Sequence, residues 1–173
     1  MITLYNTWFI SDTHFGHENI IKYCDRPFKD VSQMDQHLIK QWNSVVKKND
    51  TVYHLGDFSL GHPKEVVKMI VEELNGNIKL VKGNHDTWSN EIYRDIGFKE
   101  VYDKPILVNE FLLLSHEPVP FRLSPMFVNV YGHVHNSNLF DTYKDGFLCV
   151  CVERHNYTPI SLKDIERIVV SGT

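Results

Sequence analysis

The side chains best suited to chemistry fall in five short clusters: Asp12-Thr13-His14, Gly56-Asp57, Gly83-Asn84-His85-Asp86, Ser115-His116 and Gly132-His133-Val134-His135. A carboxylate and an imidazole two residues apart, as in Asp12 and His14, can converge on one ion where the chain leaves a strand or stays extended, and so can His133 and His135. Mixed imidazole and carboxylate donors suit manganese, iron, cobalt, nickel or zinc, whereas all-oxygen sites favour magnesium or calcium. Two such ions about 3.5–4 Å apart need a bridging ligand, and the two oxygens of Asp57 make it the candidate. Each cluster alone has a plainer reading. Asp-Thr-His after a strand serves equally well as a turn or helix cap, Gly-Asp is a common turn, and Gly56, Gly83 and Gly132 permit sharp turns. Their joint occurrence, in a chain with ten histidines, favours the chemical reading.

Each cluster follows an apolar stretch that must position it. Thr7 to Ser11 reads as a buried strand. Val31 to Val46 carries Met34, Leu38, Trp42 and Val45 at helical spacing and leads through a Lys-Lys-Asn-Asp turn to a second strand, Thr51 to Leu55. Pro63 to Leu74 repeats the helical period at 66, 70 and 74. The Asn75-Gly76-Asn77 turn then gives a third strand, Ile78 to Val81. A short helix over 91–96 follows, and beyond it the chain reads mainly as strands, at 106–108, 111–115, 128–131 and 147–152. Ser161 to Asp164 resembles a capping box opening a last helix through Ile168, whose final turn the β-branched 168–170 run weakens. The expected architecture is α/β with mixed sheets, and in open α/β sheets ligands gather outside the carboxyl ends of the strands, where these clusters fall.

Length and the 42% hydrophobic content support one core and a single domain over 1–173. No repeat or low-complexity linker divides the chain. With 18 basic and 22 acidic side chains, a net charge of -4 and no dense Lys/Arg run, long DNA or RNA is not a favoured partner. A small phosphate ester remains suitable, because metal ions can supply the positive charge. Neither a signal segment nor a membrane span is evident, so the cytoplasm is the expected location. Cys24, Cys149 and Cys151 read as buried thiols, the last two on one face of a strand. Trp88, Phe121 and Phe127 could line a dimer face as readily as the core.

Taken in order, the clusters match D-x-H, G-D, G-N-H-D/E, H and G-H-x-H, and the sequence resembles the calcineurin-like metallophosphoesterase superfamily from Trp8 to His135. Phe15-Gly16-His17, Asn19-Ile20-Ile21, Arg26-Pro27-Phe28 and the stretch from Asn156 to Leu162 look like a compact branch often encoded by phages or bacteria. The resemblance implies a four-layer α-β-β-α sandwich, two mixed sheets flanked by helices. It implies two divalent ions, manganese first, with iron, nickel, cobalt, zinc or magnesium as alternatives. Position by position, one ion would be held by Asp12, His14, Asp57 and His135 and the other by Asp57, Asn84, His116 and His133. His85 matches the residue that sits near the leaving group. His17 and Arg26 follow the first motif and could contact phosphate, the arginine through a bidentate fork.

The activity so implied is hydrolysis of a phosphate ester by a hydroxide bridging the ions, with His85 assisting the leaving oxygen. Gly56 to Gly61 lacks the G-D-x-x-D-R-G extension that resembles protein serine/threonine phosphatases, which makes a phosphodiesterase acting on a small nucleotide-like or organic diester the leading expectation. A phosphomonoesterase is the close alternative. From another class, a non-catalytic metal-binding scaffold resembling the retromer subunit is weighed against the intact Gly-Asn-His-Asp turn. His37, His54 and His62 lack partners at matching spacing and are expected to pack or face solvent.

Overall fold

A computed structural model of the protein describes residues 6–120 and 127–171. Among these, ten strands form two five-stranded sheets. The first sheet holds β1 (Thr7–Ile10), β2 (Thr51–His54), β3 (Asn77–Val81) and β4 (Glu100–Tyr102) in parallel, with β10 (Ile160–Ser161) antiparallel at the β1 edge. The second holds β5 (Ile106–Val108), β6 (Leu112–Leu114), β7 (Val128–Tyr131), β8 (Tyr143–Lys144) and β9 (Phe147–Cys149) in the order β5-β6-β7-β9-β8, with parallel pairing at its centre and antiparallel pairing at both edges. Five α-helices accompany them among the described residues: α1 (Glu18–Tyr23), α2 (Val31–Val45), α3 (Lys64–Glu73), α4 (Asn90–Asp95) and α5 (Leu162–Ser171). This is the expected α/β sandwich of two mixed sheets with helices.

Side chains that alternate along β1 divide the core in two. Ile10 joins Val52, Ile78 and Leu80 beneath Met34, Leu38 and Trp42 of α2 and Val67 and Ile70 of α3. Phe9 points the other way, with Tyr53, Leu55 and Val81, into a cluster shared with Leu112, Leu114, Val130 and Leu148 of the second sheet. The period of two thus makes one strand serve both the helix layer and the inter-sheet layer. Asp30 caps α2 by accepting the Gln33 N–H at 2.9 Å. Trp42 is buried and donates its indole N–H to the Asn75 carbonyl at 2.8 Å, tying α2 to the turn before β3. Trp42→Ala should destabilise the protein by about 3–5 kcal/mol through cavity formation; chemical denaturation would read this as a shifted midpoint.

Several elements differ from expectation. The capping box at α5 is present, with Asp164 N–H donating to Ser161 Oγ and Ser161 N–H to Asp164 Oδ2. The helix nevertheless continues past Ile168 to Ser171. Ile168 and Val169 pack against the inter-sheet cluster, and this packing outweighs a propensity penalty of roughly a few tenths of a kcal/mol per residue. The strand expected over 147–152 stops at Cys149; Cys151 makes one isolated parallel bridge to Ser11, and Val152–His155 forms a 3-10 turn. Helix α1 and strands β4, β8 and β10, of two to six residues, are too short to show a period. Trp88 packs against the helix-side core, its ring 5.6 Å from Tyr93; Phe127 is half-buried, and Phe121 lies outside the described residues. No helix among the described residues is long and apolar enough to cross a membrane.

Candidate metal centre

The register of the parallel strands sets Ile10 beside His54 and His54 beside Leu80, so the first three clusters leave the first sheet side by side. The backbone there is unusual. Asp12, His14, Asp57, His133 and His135 all have positive φ, between 48° and 69°, a left-handed conformation uncommon outside glycine and somewhat tolerated by Asp, Asn and His. Such conformations persist where the surroundings enforce them, and they gather at functional sites. Gly132 permits the close approach of these loops, because a Cβ there would collide with Ser11 Oγ and Asp12 Oδ2.

Two ligand groups of motif residues result, and a third set of donors, Cys24, His135 and Glu153, shares His135 with the first. Asp12, His14 and His135 bring donor atoms within 4.8 Å of one another, and so do Asp57, His116 and His133. In the first, His14 Nε2 and His135 Nε2 lie 4.0 Å and 3.7 Å from Asp12 Oδ1. In the second, His116 Nε2 is 3.2 Å from His133 Nδ1 and 3.0 Å from Asn84 Oδ1. Asp57 stands between them: its Oδ2 is 3.6 Å from His14 Nε2 and 3.5 Å from His116 Nε2. Its Oδ1 accepts the His85 backbone N–H at 2.9 Å.

The donor set fits divalent cations. Asp12 Oδ1 and His14 Nε2 are buried without a hydrogen-bond partner, whereas buried polar atoms are nearly always paired. His116 Nδ1 donates to the Leu55 carbonyl at 2.8 Å, which leaves Nε2 as the nitrogen facing the cluster. Burial pushes His14 down to about 2, so it stays a neutral imidazole, the ligating form. Burial disfavours the charged forms of Asp57, His116 and His135 too, but close partners outweigh it. The His116 hydrogen bond and charge hold Asp57 below the usual carboxylate range. Asp57 and Asp12 lift His116 to about 9. The Cys24 thiol, Glu153 and Asp12 lift His135 to about 10. A pocket that draws protons onto two imidazoles this strongly favours a metal cation by the same field.

Other expected residues are placed as follows. His85 is half-buried beside the first group, its ring 5.6 Å from that of His14, and belongs to neither ligand group. A cavity of about 390 Å³ opens next to it, lined in part by Ser59, Leu60, His62, Pro63 and Trp88. His17 is at the centre, its Nδ1 3.2 Å from His14 Nδ1. Arg26 corrects the expectation of a phosphate contact: its side chain is fully buried, and it donates to Glu153 and to the carbonyls of Asp12 and Thr13. An arginine before proline looked exposed, but the chain turns inward there. His54 packs against Trp42 and Phe58 and bonds Thr13 Oγ1, and His62 pairs with Asp35. All three cysteines are buried and free, with Cys149 and Cys151 sulfurs 3.3 Å apart and Cys151 Sγ 3.3 Å from Asp12 Oδ2.

Two residues at the centre escaped sequence reasoning. Glu153 contacts His135; its only signal was a charge directly after an apolar strand. Asp86, within a recognised motif, fastens two ligand loops: Oδ2 accepts the N–H groups of Asp57 and Gly83 at 2.7 and 2.9 Å, and Oδ1 that of Phe58 at 3.2 Å. Both oxygens face donors, so Asp86→Asn would turn its amide NH₂ onto an N–H. The expected cost is about 1–3 kcal/mol, read as a fall in denaturation midpoint at otherwise intact secondary structure.

The chain belongs to the calcineurin-like phosphoesterase family, whose pattern matches residues 5–167, and this makes it a metal-dependent phosphoesterase. It is 38% identical over 171 residues to the uncharacterized protein MJ1445 of Methanocaldococcus jannaschii, covering 95% of this chain and 92% of that one. It is 41% identical over 83 residues to the Gene 66 protein of Mycobacterium phage L5, covering 47% of this chain and 40% of that protein. Among solved structures, the protein of unknown function AQ665 from Aquifex aeolicus superposes with a TM-score of 0.73 at 30% identity, over 94% of this chain and 98% of that one. The nuclease MPE of Pseudomonas putida shares the fold at a TM-score of 0.50 and 19% identity, over 76% of this chain and 62% of that one.

Proposed function

We propose that the protein is a two-ion phosphodiesterase, with manganese as its metal, that hydrolyses a small nucleotide-like or organic phosphodiester in the cytoplasm. The observation that carries the two-ion reading is Asp57 Oδ2, almost equally far from His14 Nε2 and His116 Nε2, at 3.6 and 3.5 Å, with a separate ligand group on each side. Asp12, His14 and His135 would hold one ion, Asn84, His116 and His133 the other, and Asp57 both. Bound ions supply an acidified water and positive charge for the phosphoryl oxygens.

The chain's own residues supply the rest. The His85 backbone N–H is anchored on Asp57, which sets the imidazole at the rim of the centre, where it can give a proton to the leaving oxygen. The adjacent cavity would take the leaving group, and His17, beside His14, can donate to a phosphoryl oxygen. The preference for a diester follows from charge. A phosphomonoester carries a further anionic oxygen, and the two arginines bonded to the motif loops are already committed, Arg26 to Glu153 and two carbonyls and Arg154 to the carbonyls of His135, Ser137 and Phe140. Among the described residues, no Lys or Arg lines the cavity beside His85.

The test is release of p-nitrophenol from bis-p-nitrophenyl phosphate and from p-nitrophenyl phosphate by chelator-stripped protein to which manganese is returned. Metal-dependent cleavage favouring the diester is expected. Cleavage of the monoester alone would make the protein a phosphatase, and bound metal with neither ester cleaved would favour the scaffold reading.

A further inference from the structure

His135 is held from behind by groups that lie outside both ligand sets. Its Nδ1 is 3.0 Å from Glu153 Oε1, while Nε2 faces Asp12 Oδ1. A carboxylate paired with an arginine only accepts, so one His135 proton sits on Nδ1, and Nε2, facing Asp12, is the nitrogen that gives up its proton to take the first ion position. Glu153 is itself fixed. Oε1 also accepts Arg26 Nε at 3.0 Å and Nη2 at 2.7 Å, and the same guanidinium donates to the Thr13 carbonyl at 2.9 Å and the Asp12 carbonyl at 2.7 Å. The Arg26 and Glu153 side chains are 0% and 4% exposed, so neither can reach substrate. One planar cation therefore joins the loop that presents Asp12 and His14 to the carboxylate that aims His135. That fork geometry is available to arginine and not to lysine.

The second ligand group is braced differently, by Asp86 on the amides of Asp57 and Gly83. His116 is oriented by a neutral backbone carbonyl, that of Leu55, and no hydrogen bond joins it to Arg26 or Glu153 among the described residues. We propose that Glu153, braced by Arg26, is a positioning residue that fixes the tautomer and direction of His135. It thereby sets the affinity of the Asp12–His14–His135 position and acts on the Asp57–His116–His133 position only through the shared Asp57. The inference rests on the two-ion reading above.

Carboxylates that orient a ligating histidine are typically worth about 10–100-fold in metal affinity. The experiment is manganese titration of the chelator-stripped full-length chain by calorimetry, for wild type, Glu153→Gln, Glu153→Ala and Arg26→Lys, alongside the metal-free Tm of each. Wild type should take up two ions. In Glu153→Gln one ion should bind about 10–100-fold more weakly and the other nearly as in wild type, although the metal-free Tm falls because the buried Arg26 charge loses its partner. Arg26→Lys should weaken the same ion, and Glu153→Ala most of all. Two ions bound with wild-type affinities in Glu153→Gln and Glu153→Ala would overturn the proposal. So would equal weakening of both ions in step with a lowered metal-free Tm, which marks a purely structural brace. Fewer than two ions in wild type would defeat the two-ion reading itself, and this inference with it.

Discussion

His85→Ala should lower turnover of a diester by about 10²–10⁴-fold, the usual worth of a general acid, while leaving metal uptake as in wild type. The separation of effects comes from geometry. His85 touches the centre through its backbone N–H, which alanine retains, and its ring belongs to neither ligand group. Replacement should therefore remove a proton donor without loosening Asp57. The check pairs initial rates with metal content at equal loading. A further discriminating readout is the leaving group: p-nitrophenolate departs with little protonation, so the defect should shrink for that ester and grow for an alkyl ester. Equal defects with both would assign His85 to substrate or metal positioning instead.

Asp57→Asn should have the widest consequences. It keeps the shape of the side chain and a residue type that tolerates the left-handed backbone at φ 57°, but it removes the single negative charge between the two ligand groups. Manganese should then bind poorly at both positions and activity should fall to background. The stability that saturating metal confers, about 2.7 kcal/mol at a hundredfold excess over Kd, should also disappear, visible as loss of the manganese-dependent rise in Tm. A variant whose Tm still rises with manganese as in wild type would show that Asp57 is not shared.

The five clusters and the strands ahead of them were legible because parallel strands announce themselves as apolar runs and their carboxyl ends as abrupt switches to polar residues. Thr7–Ile10, Thr51–His54 and Asn77–Val81 each do this. What brings the clusters together is register, the pairing of Ile10 with His54 and of His54 with Leu80, and register is a property of two strands that neither encodes visibly alone. The support around the ligands was hidden for the same reason. Arg26 reads in the sequence as a residue that could contact phosphate because its partner, Glu153, is far away in sequence, and nothing near either residue marks the pairing. Asp86 sat in a motif without a task, since two of the three amides it accepts, those of Asp57 and Phe58, belong to a loop distant in sequence. Helix α5 outran its β-branched limit because the packing of Ile168 and Val169 is tertiary.

The two ion positions are the centre of this account, and anomalous diffraction from crystals of the manganese-loaded protein locates them directly. Two peaks about 3.5–4 Å apart are predicted, one among Asp12, His14 and His135, the other among Asn84, His116 and His133, with Asp57 touching both. A single peak, or peaks away from Asp57, would contradict the shared-carboxylate centre and the reaction built on it.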